Sequence, residues 1–317
     1  MVGSVVEVPM FRFLIILLAL APLALVSCGD KNDTSTPPEG DTDTDADADG
    51  DTDADGDTDA ACEDAVPCSG YYNGEYDIQS QVELDSIVLC ESIEGDLRIN
   101  DLGWLTSVDL PCLQSVGVRL LVAHNPSLGS LNMPGLSTVE DSIGISENDL
   151  LATIDLHDLV SAGEELNISE NASLTSLDLT SLQSPDESLI IRENPSLTNI
   201  DIPNLSSVGG CLYLMDSGSL TTIDMSSLVT VTEYLVISGN DSLPNLDAPS
   251  LVSVGAAMRL MENASLTSLD MPSLATVGGD LVIEDNASLC QAAAEAFAAQ
   301  IEVGGSVTVT GNDGDCD

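Results

Sequence analysis

A repeat of 23 residues runs through most of the chain and constrains its fold more than any other feature. The short motif L-x-I-x-x-N, as in Leu166 to Asn171, recurs every 23 residues without insertion. Its first residues are Leu97, Leu120, Ile143, Leu166, Leu189, Leu212, Leu235, Met258 and Leu281. An unbroken period with aliphatic columns predicts a solenoid, in which each coil covers the apolar edge of its neighbour.

The L-x-I element alternates as a strand on a parallel sheet does, with its first and third residues pointing inward. We therefore expect an all-β fold. An asparagine that points inward after this strand can stack in a ladder that satisfies backbone groups of the turns. The column comprises Asn125, Asn148, Asn171, Asn194, Asn240, Asn263 and Asn286, and it is interrupted at Leu102 and Ser217.

Residues 1–28 have the pattern of an export signal. Phe13 to Leu25 is an apolar run behind Arg12, too short to span about 30 Å of hydrocarbon but suited to a secretion signal. The following Leu25-Val26-Ser27-Cys28 resembles the lipobox of bacterial lipoproteins. The resemblance implies that Cys28 is lipidated. We therefore expect an exported protein, lipid-anchored to a bacterial membrane at the outer membrane or cell surface.

Residues 29–61 are expected to be a disordered, Asp-rich linker. Between Asp41 and Ala60, aspartate alternates with Thr, Ala or Gly. Such a segment cannot bury apolar surface to offset its chain entropy, and self-repulsion extends it. Its D-x-D-x-D-G sequences are similar to the start of an EF-hand loop, but the glutamate at the twelfth position and the flanking helices are missing. We expect weak Ca²⁺ binding at most and no other cofactor.

The charge of the chain excludes several functions. It carries 54 acidic and 6 basic side chains, a net charge of −48, which repels phosphate and excludes nucleic acid as a partner. The side chains most used in acid–base catalysis and oxyanion stabilisation are scarce, with His124 and His157 in different columns and Lys31 as the single lysine. We expect a protein that is not an enzyme.

From residue 62 onward the chain resembles the receptor L domain, the β-helical module of insulin- and epidermal-growth-factor-receptor ectodomains and of fungal cell-wall glycoproteins. The matching residues before the coils are Tyr76, Ile78, Leu84, Asp85, Cys90, Ile93, Gly95, Leu97 and Ile99. The resemblance implies a right-handed parallel β-helix over residues 62–317, with caps at its ends. The runner-up is a leucine-rich repeat of bacterial surface proteins, which places a leucine two residues after the asparagine rather than three.

The C-terminal residues predict a cap. The Ala-rich stretch 291–301 has helical propensity, and a last strand follows at residues 307–309. Cys290 and Cys316 bracket these elements. In an exported chain with 8 cysteines, disulfides are favoured over metal sites. We expect a Cys290–Cys316 disulfide that fixes a short helical cap on the open end of the solenoid.

The N-terminal cysteines leave alternatives open. The L-domain resemblance implies a Cys68–Cys90 disulfide. Cys112 lies one coil above Cys90, so Cys90–Cys112 is the competing pair. Cys62 would pair with whichever cysteine remains, and we expect Cys211 to be buried and free.

Two acidic columns run along the repeat, and stacked like charges repel unless they share a cation or accept backbone N–H groups. The first contains Asp101, Glu147, Glu170, Glu193, Asp216, Glu262 and Asp285. Within it, Glu147, Glu170, Glu193 and Asp216 are a candidate site for a divalent cation or a cationic partner, with plain solvated charge as the alternative. For the second, we expect turn hydrogen bonds; its members are Asp109, Asp155, Asp178, Asp201, Asp224, Asp247 and Asp270.

Apolar residues at outward strand positions are unusual on a solvent-exposed surface and suggest a partner. This candidate partner strip comprises Leu121, Ile190, Tyr213, Met215, Val236 and Met261, with Val282 beside them.

We expect a non-catalytic, surface-anchored recognition or adhesion module that binds a protein or glycan of the envelope or the extracellular space. The alternative is a structural protein of the cell envelope, as the likeness to fungal wall glycoproteins implies. A β-helical pectate lyase is not expected, because such sites combine Asp with Arg or Lys.

Overall fold

The computed structural model describes Cys62, the backbone of Val66–Cys68, and residues 75–316. The predicted signal peptide, Cys28 and the Asp-rich linker all lie outside these residues. The described part is a parallel β-solenoid of about ten coils, nearly all of 23 residues. This confirms the all-β solenoid with a short C-terminal helix. No helix in the described part of the chain has the length and apolar character needed to cross a membrane.

One sheet, here called the long sheet, receives a strand from every coil and contains 11 strands. Its strands are Tyr76–Asp77, Leu97–Asn100, Leu120–Ala123, Ile143–Ser146, Leu166–Ser169, Leu189–Arg192, Leu212–Met215, Leu235–Ser238, Met258–Met261, Leu281–Glu284 and Val307–Thr310. All neighbours pair in parallel, with residue i opposite residue i+23 through the regular coils. The first and third residues of these strands point into the core; Leu97 and Ile99, for example, are fully buried.

A second face carries strands that end in aspartate or asparagine and is called the Asp sheet. Its first part comprises Ser107–Asp109, Ser130–Asn132, Thr153–Asp155, Ser176–Asp178, Asn199–Asp201 and Thr222–Asp224; its second part comprises Asn245–Asp247 and Ser268–Asp270. The break coincides with Pro244. Thr221 and Thr267 donate their backbone N–H to the preceding coil, and proline has no N–H to do so.

A third face carries short strands built around a Val or Ala and is also in two parts. The first comprises Val66–Cys68, Cys90–Ile93, Ser115–Val116, Thr138–Val139 and Ser161–Ala162; the second comprises Ser207–Val208, Thr230–Val231, Ser253–Val254, Thr276–Val277 and Glu302–Val303. Between the parts, Pro185 is buried at the position that Ala162 and Val208 hold in adjacent coils. Its fixed φ and missing N–H do not suit a strand ladder.

The asparagine column forms the predicted ladder. Asn171 is fully buried, and its Oδ1 accepts from both the backbone N–H and the side-chain Nδ2 of Asn148, each at 3.2 Å. Its Nδ2 donates to the carbonyls of Ile145 and Ser169, each at 3.0 Å. Asn312 continues the ladder in the last coil. The backbone N–H of Leu102 and of Ser217 still donates to the asparagine of the next coil.

Both ends of the solenoid carry a helix. The N-terminal helix α1 spans Gln81–Ser86 and is capped by Ser80. The C-terminal helix α2 spans Gln291–Ala298, somewhat shorter than the Ala-rich stretch, and packs against Val307–Thr310. The expected disulfide joins Cys290 and Cys316 around this cap.

The N-terminal cysteines settle one of the alternatives. Cys62 is bonded to Cys112, so the competing Cys90–Cys112 pair is wrong. Ser92 pairs with Ser115 in the sheet. The same register places Cys90 opposite Leu113 and not opposite Cys112, so the two cysteines are offset by one residue. Cys90 is disulfide-bonded, but the Cys68 side chain lies outside the described part, so Cys68–Cys90 stays a prediction.

Cys211 is fully buried, as expected, but it is disulfide-bonded rather than free. The prediction of a free thiol is therefore wrong. It relied on the position of Cys211 in the repeat and gave too little weight to the oxidising environment of exported chains, in which cysteines form disulfides.

Candidate partner-binding face

The outward surface of the long sheet brings the predicted partner residues together. Ile190, Tyr213, Val236, Arg259 and Val282 occupy equivalent positions on five consecutive strands, so neighbouring side chains stand about 4.8 Å apart. Met215 and Met261 are also outward-facing, two residues after Tyr213 and Arg259 in their strands. We call the apolar members of this cluster (Ile190, Tyr213, Met215, Val236, Met261 and Val282) the apolar strip.

The strip differs from the prediction in two respects. Leu121 is separated from Ile190 by Gly144 and Asn167, which hold the intervening outward positions. Its Cδ2 lies 3.1 Å from where a Cβ on Gly144 would stand, so Leu121 leans over the gap left by the glycine. Val236 is only 9% exposed, because it stands between the larger Tyr213 and Arg259. The accessible surface is therefore contributed by its neighbours.

Tyr213 is the central aromatic residue of the strip and is partly buried on the sheet. Burial is the main cause that raises the pKa of its hydroxyl, with a smaller contribution from the nearby Tyr234. The phenol is therefore neutral at physiological pH and offers both an apolar ring and a hydrogen-bonding group. Such half-buried tyrosines, with methionine and arginine, are enriched in protein interfaces.

The arginines of the described chain all lie on or beside the long sheet. At its N-terminal end, Asp96 is 2% exposed, pairs with Arg98, and lies 2.7 Å from Nη2 of Arg119. Burial acts to raise the pKa of Asp96, but hydrogen bonds from Arg119 and the charges of both arginines outweigh it, so the pKa lies below its ordinary value. These two arginines therefore hold the first coils together.

Arg192 and Arg259 have different surroundings. Arg192 lies 3.3 Å from Glu170 through Nη2 and contacts Glu193 through Nη1. Arg259 has no carboxylate within the 4.0 Å of an ion pair, alone among the arginines of residues 75–316. It is thus the arginine of this face that has no ion-pair partner of its own.

The first acidic column lies at the C-terminal ends of the strands of the long sheet. Each of its members is the residue that directly follows a strand. All its members have positive φ, from 52° for Asp216 to 60° for Asp101. The left-handed conformation turns the chain out of the sheet, and Gly239 and Gly311 take the same place in their coils, with φ of 66° and 69°.

The predicted cation site in this column is largely occupied by internal partners. Arg192 pairs with Glu170 and Glu193, and Nε2 of His124 lies 3.1 Å from Glu147. Over the part of the chain that the structure describes, no three His, Cys, Asp or Glu side chains are grouped to hold a metal ion. Among the described residues, Asp216 has no ion-pair partner, and neither do Glu262 and Asp285 farther along the column.

The second acidic column lies on the Asp sheet and makes the predicted turn hydrogen bonds in several coils. A carboxylate accepts the backbone N–H two residues later in three cases: Asp155 from His157, Asp178 from Thr180, and Asp224 from Ser226. The ring of His157 also lies 2.8 Å from Asp155, and this hydrogen bond is the main cause that raises the pKa of His157.

An open groove of about 620 Å³ lies over the Asp sheet. Its lining offers hydroxyl groups, carboxylates and one amide, and none of its residues is His, Lys or Arg. Glu164 and Asp141 form a separate acidic contact, in which the hydrogen bond that protonated Glu164 donates to Asp141 is the main cause that raises the pKa of Glu164.

Sequence reasoning found the outward strip but missed Arg259 and the ion pairs of Arg192. Arg259 occupies the outward position two coils after Tyr213, so the same column that revealed the strip contains it. The Arg192 pairs depend on how far a long side chain reaches across the sheet, which column position alone does not reveal. The chain matches no protein-family model, no curated protein and no solved structure.

Proposed function

We propose that this protein is an exported, non-catalytic recognition module that binds a partner at the cell envelope through the outward face of the long sheet. The observation that supports it is the apolar strip, which includes Tyr213 and Met215 on one strand and Met261 two strands farther on, with Ser238 between the two methionines. Clustered apolar side chains on an exposed face, in a chain with a net charge of −48, are typical of protein interaction sites. The alternative, a purely structural envelope protein, needs no such strip.

The location follows from two observations. Disulfides, such as Cys62–Cys112 and Cys290–Cys316, are typical of exported proteins. The lipobox-like sequence before Cys28 supports a lipid anchor on a bacterial membrane, with residues 29–61 as the spacer that displays the solenoid. The likeness to the receptor L domain is part of the same proposal, since modules of that family act outside the cell.

Binding through the long sheet is tested on envelope preparations of the producing bacterium. The full chain should bind them saturably, and Tyr213→Asp should reduce that binding about tenfold or more, because it buries a charge at the centre of the contact. Val252→Asp is the matched control, since Val252 is 42% exposed and lies outside the long sheet. Equal binding by the two variants would contradict the proposal that the long sheet is the binding face. If the unaltered chain shows no saturable binding, the proposed recognition function itself is wrong.

The anchor is tested separately by Cys28→Ser. The variant should move from the membrane pellet to the soluble fraction, since the lipid on Cys28 is the membrane anchor proposed. Fractionation followed by immunoblotting measures the change, with the unaltered chain as the control. A Cys28→Ser protein that still sediments with membranes would show that the lipoprotein reading is wrong.

A further inference from the structure

We infer that the partner of the long sheet is a basic protein segment that also carries apolar side chains. The inference rests on the proposed recognition function and names the chemistry of its ligand. It depends on the coincidence, in the same coils, of the apolar strip with carboxylates that have no cation of their own.

Those carboxylates follow the outward strand residues directly. Asp216 comes after Met215, Glu262 comes after Met261, and Asp285 comes after Glu284 of the next strand. Their backbones are all in the left-handed conformation, with φ of 52° to 55°, which fixes them in a row along the edge of the strip. None has an ion-pair partner among the described residues, whereas Glu147, Glu170 and Glu193 farther toward the N-terminus do.

Charge complementarity therefore selects the partner. An acidic segment would meet the unpaired carboxylates and the net charge of −48, which repels anions at long range. A basic segment without apolar side chains would leave the apolar strip exposed to solvent. A segment with lysine or arginine and apolar residues satisfies both, because the aliphatic stems of the basic side chains can cover Met215 and Met261 while their charges reach the carboxylates. Tyr213 adds a ring face for a cation.

The dimensions of the strip set the length of the segment. It covers the five strands from Leu189–Arg192 to Leu281–Glu284, which at about 4.8 Å per strand is about 19 Å, the length of about six residues of extended chain. Arg259 lies inside this stretch and can donate to backbone carbonyls of the same segment, which replaces the carboxylate partner that it lacks. The ligand is thus about six to eight residues long.

The test uses a labelled eight-residue peptide of alternating lysine and leucine and the full chain, with binding followed by fluorescence anisotropy. Matched peptides of alternating lysine and serine and of alternating glutamate and leucine are the controls. We expect the lysine–leucine peptide to bind at least about tenfold more tightly than the lysine–serine peptide, and the glutamate–leucine peptide not to bind. Equal binding of the two lysine peptides would contradict a role for the strip.

Two double variants locate the site. Asp216→Asn with Glu262→Gln should weaken binding of the lysine–leucine peptide about fivefold, since it removes two exposed ion pairs. Asp247→Asn with Glu302→Gln makes the same change of charge on the other faces and should have less than about a twofold effect. Any binding of basic peptides by the linker is the same in both variants. A difference in affinity between the two variants therefore shows that the peptide binds at the long sheet.

The remaining outcomes separate this inference from the proposed function. If both double variants bind the peptide alike while Tyr213→Asp still abolishes envelope binding, the face is a recognition site and its partner is not basic. If the glutamate–leucine peptide binds and Arg259→Gln removes that binding, the partner is anionic and the inference is overturned.

Discussion

Replacing Asn171 with leucine is expected to lower the free energy of unfolding by about 4 kcal/mol. The change leaves the backbone N–H of Asn148 without its acceptor and removes the side-chain hydrogen bonds to the carbonyls of Ile145 and Ser169, of which Ser169 keeps the N–H of Glu147 as a donor. These groups lie in the interior, where an unsatisfied polar group costs about 1–3 kcal/mol and a lost hydrogen bond about 1 kcal/mol. Urea unfolding followed by circular dichroism measures the loss.

The matched control is Asn204→Leu. Asn204 is exposed and makes one side-chain hydrogen bond, to the carbonyl of Thr180 at 2.8 Å, so we expect a change within about 0.5 kcal/mol. Ser217→Asn is the opposite change, since it fills the gap in the ladder and gives the N–H of Asn194 an acceptor. It should stabilise the protein by about 1 kcal/mol. Equal losses for Asn171→Leu and Asn204→Leu would show that the ladder contributes little.

Gly209→Ala is expected to destabilise the protein by about 3 kcal/mol or more. A Cβ on Gly209 would overlap the carbonyl group of Asp186, the equivalent residue of the preceding coil. Because backbone atoms cannot move aside as a side chain can, the two coils would have to separate and lose the hydrogen bonds between them. The melting temperature and the urea midpoint should both fall.

Gly218→Ala provides the comparison, since no atom lies within 4 Å of a Cβ placed there. Its effect should stay within about 0.5 kcal/mol, because alanine also restricts the unfolded chain. A Gly209→Ala protein as stable as Gly218→Ala would mean that the coils are not stacked as closely as the structure shows.

The repeat was sufficient to predict the strands of the long sheet and the buried asparagines, because both depend on a pattern that every coil shares. Departures from the pattern were harder to interpret. Pro185 and Pro244 interrupt the two other faces, and the sequence analysis did not use them because prolines within a repeat also occur in its turns. The first acidic column was predicted as a site for a divalent cation or a cationic partner, with solvated charge as the alternative. Its left-handed backbone was not predicted, although Gly239 in the same column was a signal of it.

The candidate site was predicted in part. Outward positions followed from strand alternation, so Ile190, Tyr213 and Met215 were found, but the shielding of Val236 depends on the size of its two neighbours. The prediction of a cation site did not include Arg192, which supplies a positive charge to Glu170 and Glu193. Periodicity identifies which residues share a face, whereas their partners depend on side-chain reach.

The Cys62–Cys112 disulfide has a mechanical consequence. If the chain is pulled between Cys62 and the coils that follow Cys112, the disulfide transmits the tension from Cys62 directly to Cys112. The intervening stretch, a sequence separation of 50 residues, carries none of that load while the bond is oxidised. The helix α1 and the first strand of the long sheet are therefore shielded from the force. About 170 Å of extendable chain stays locked until a reductant opens it.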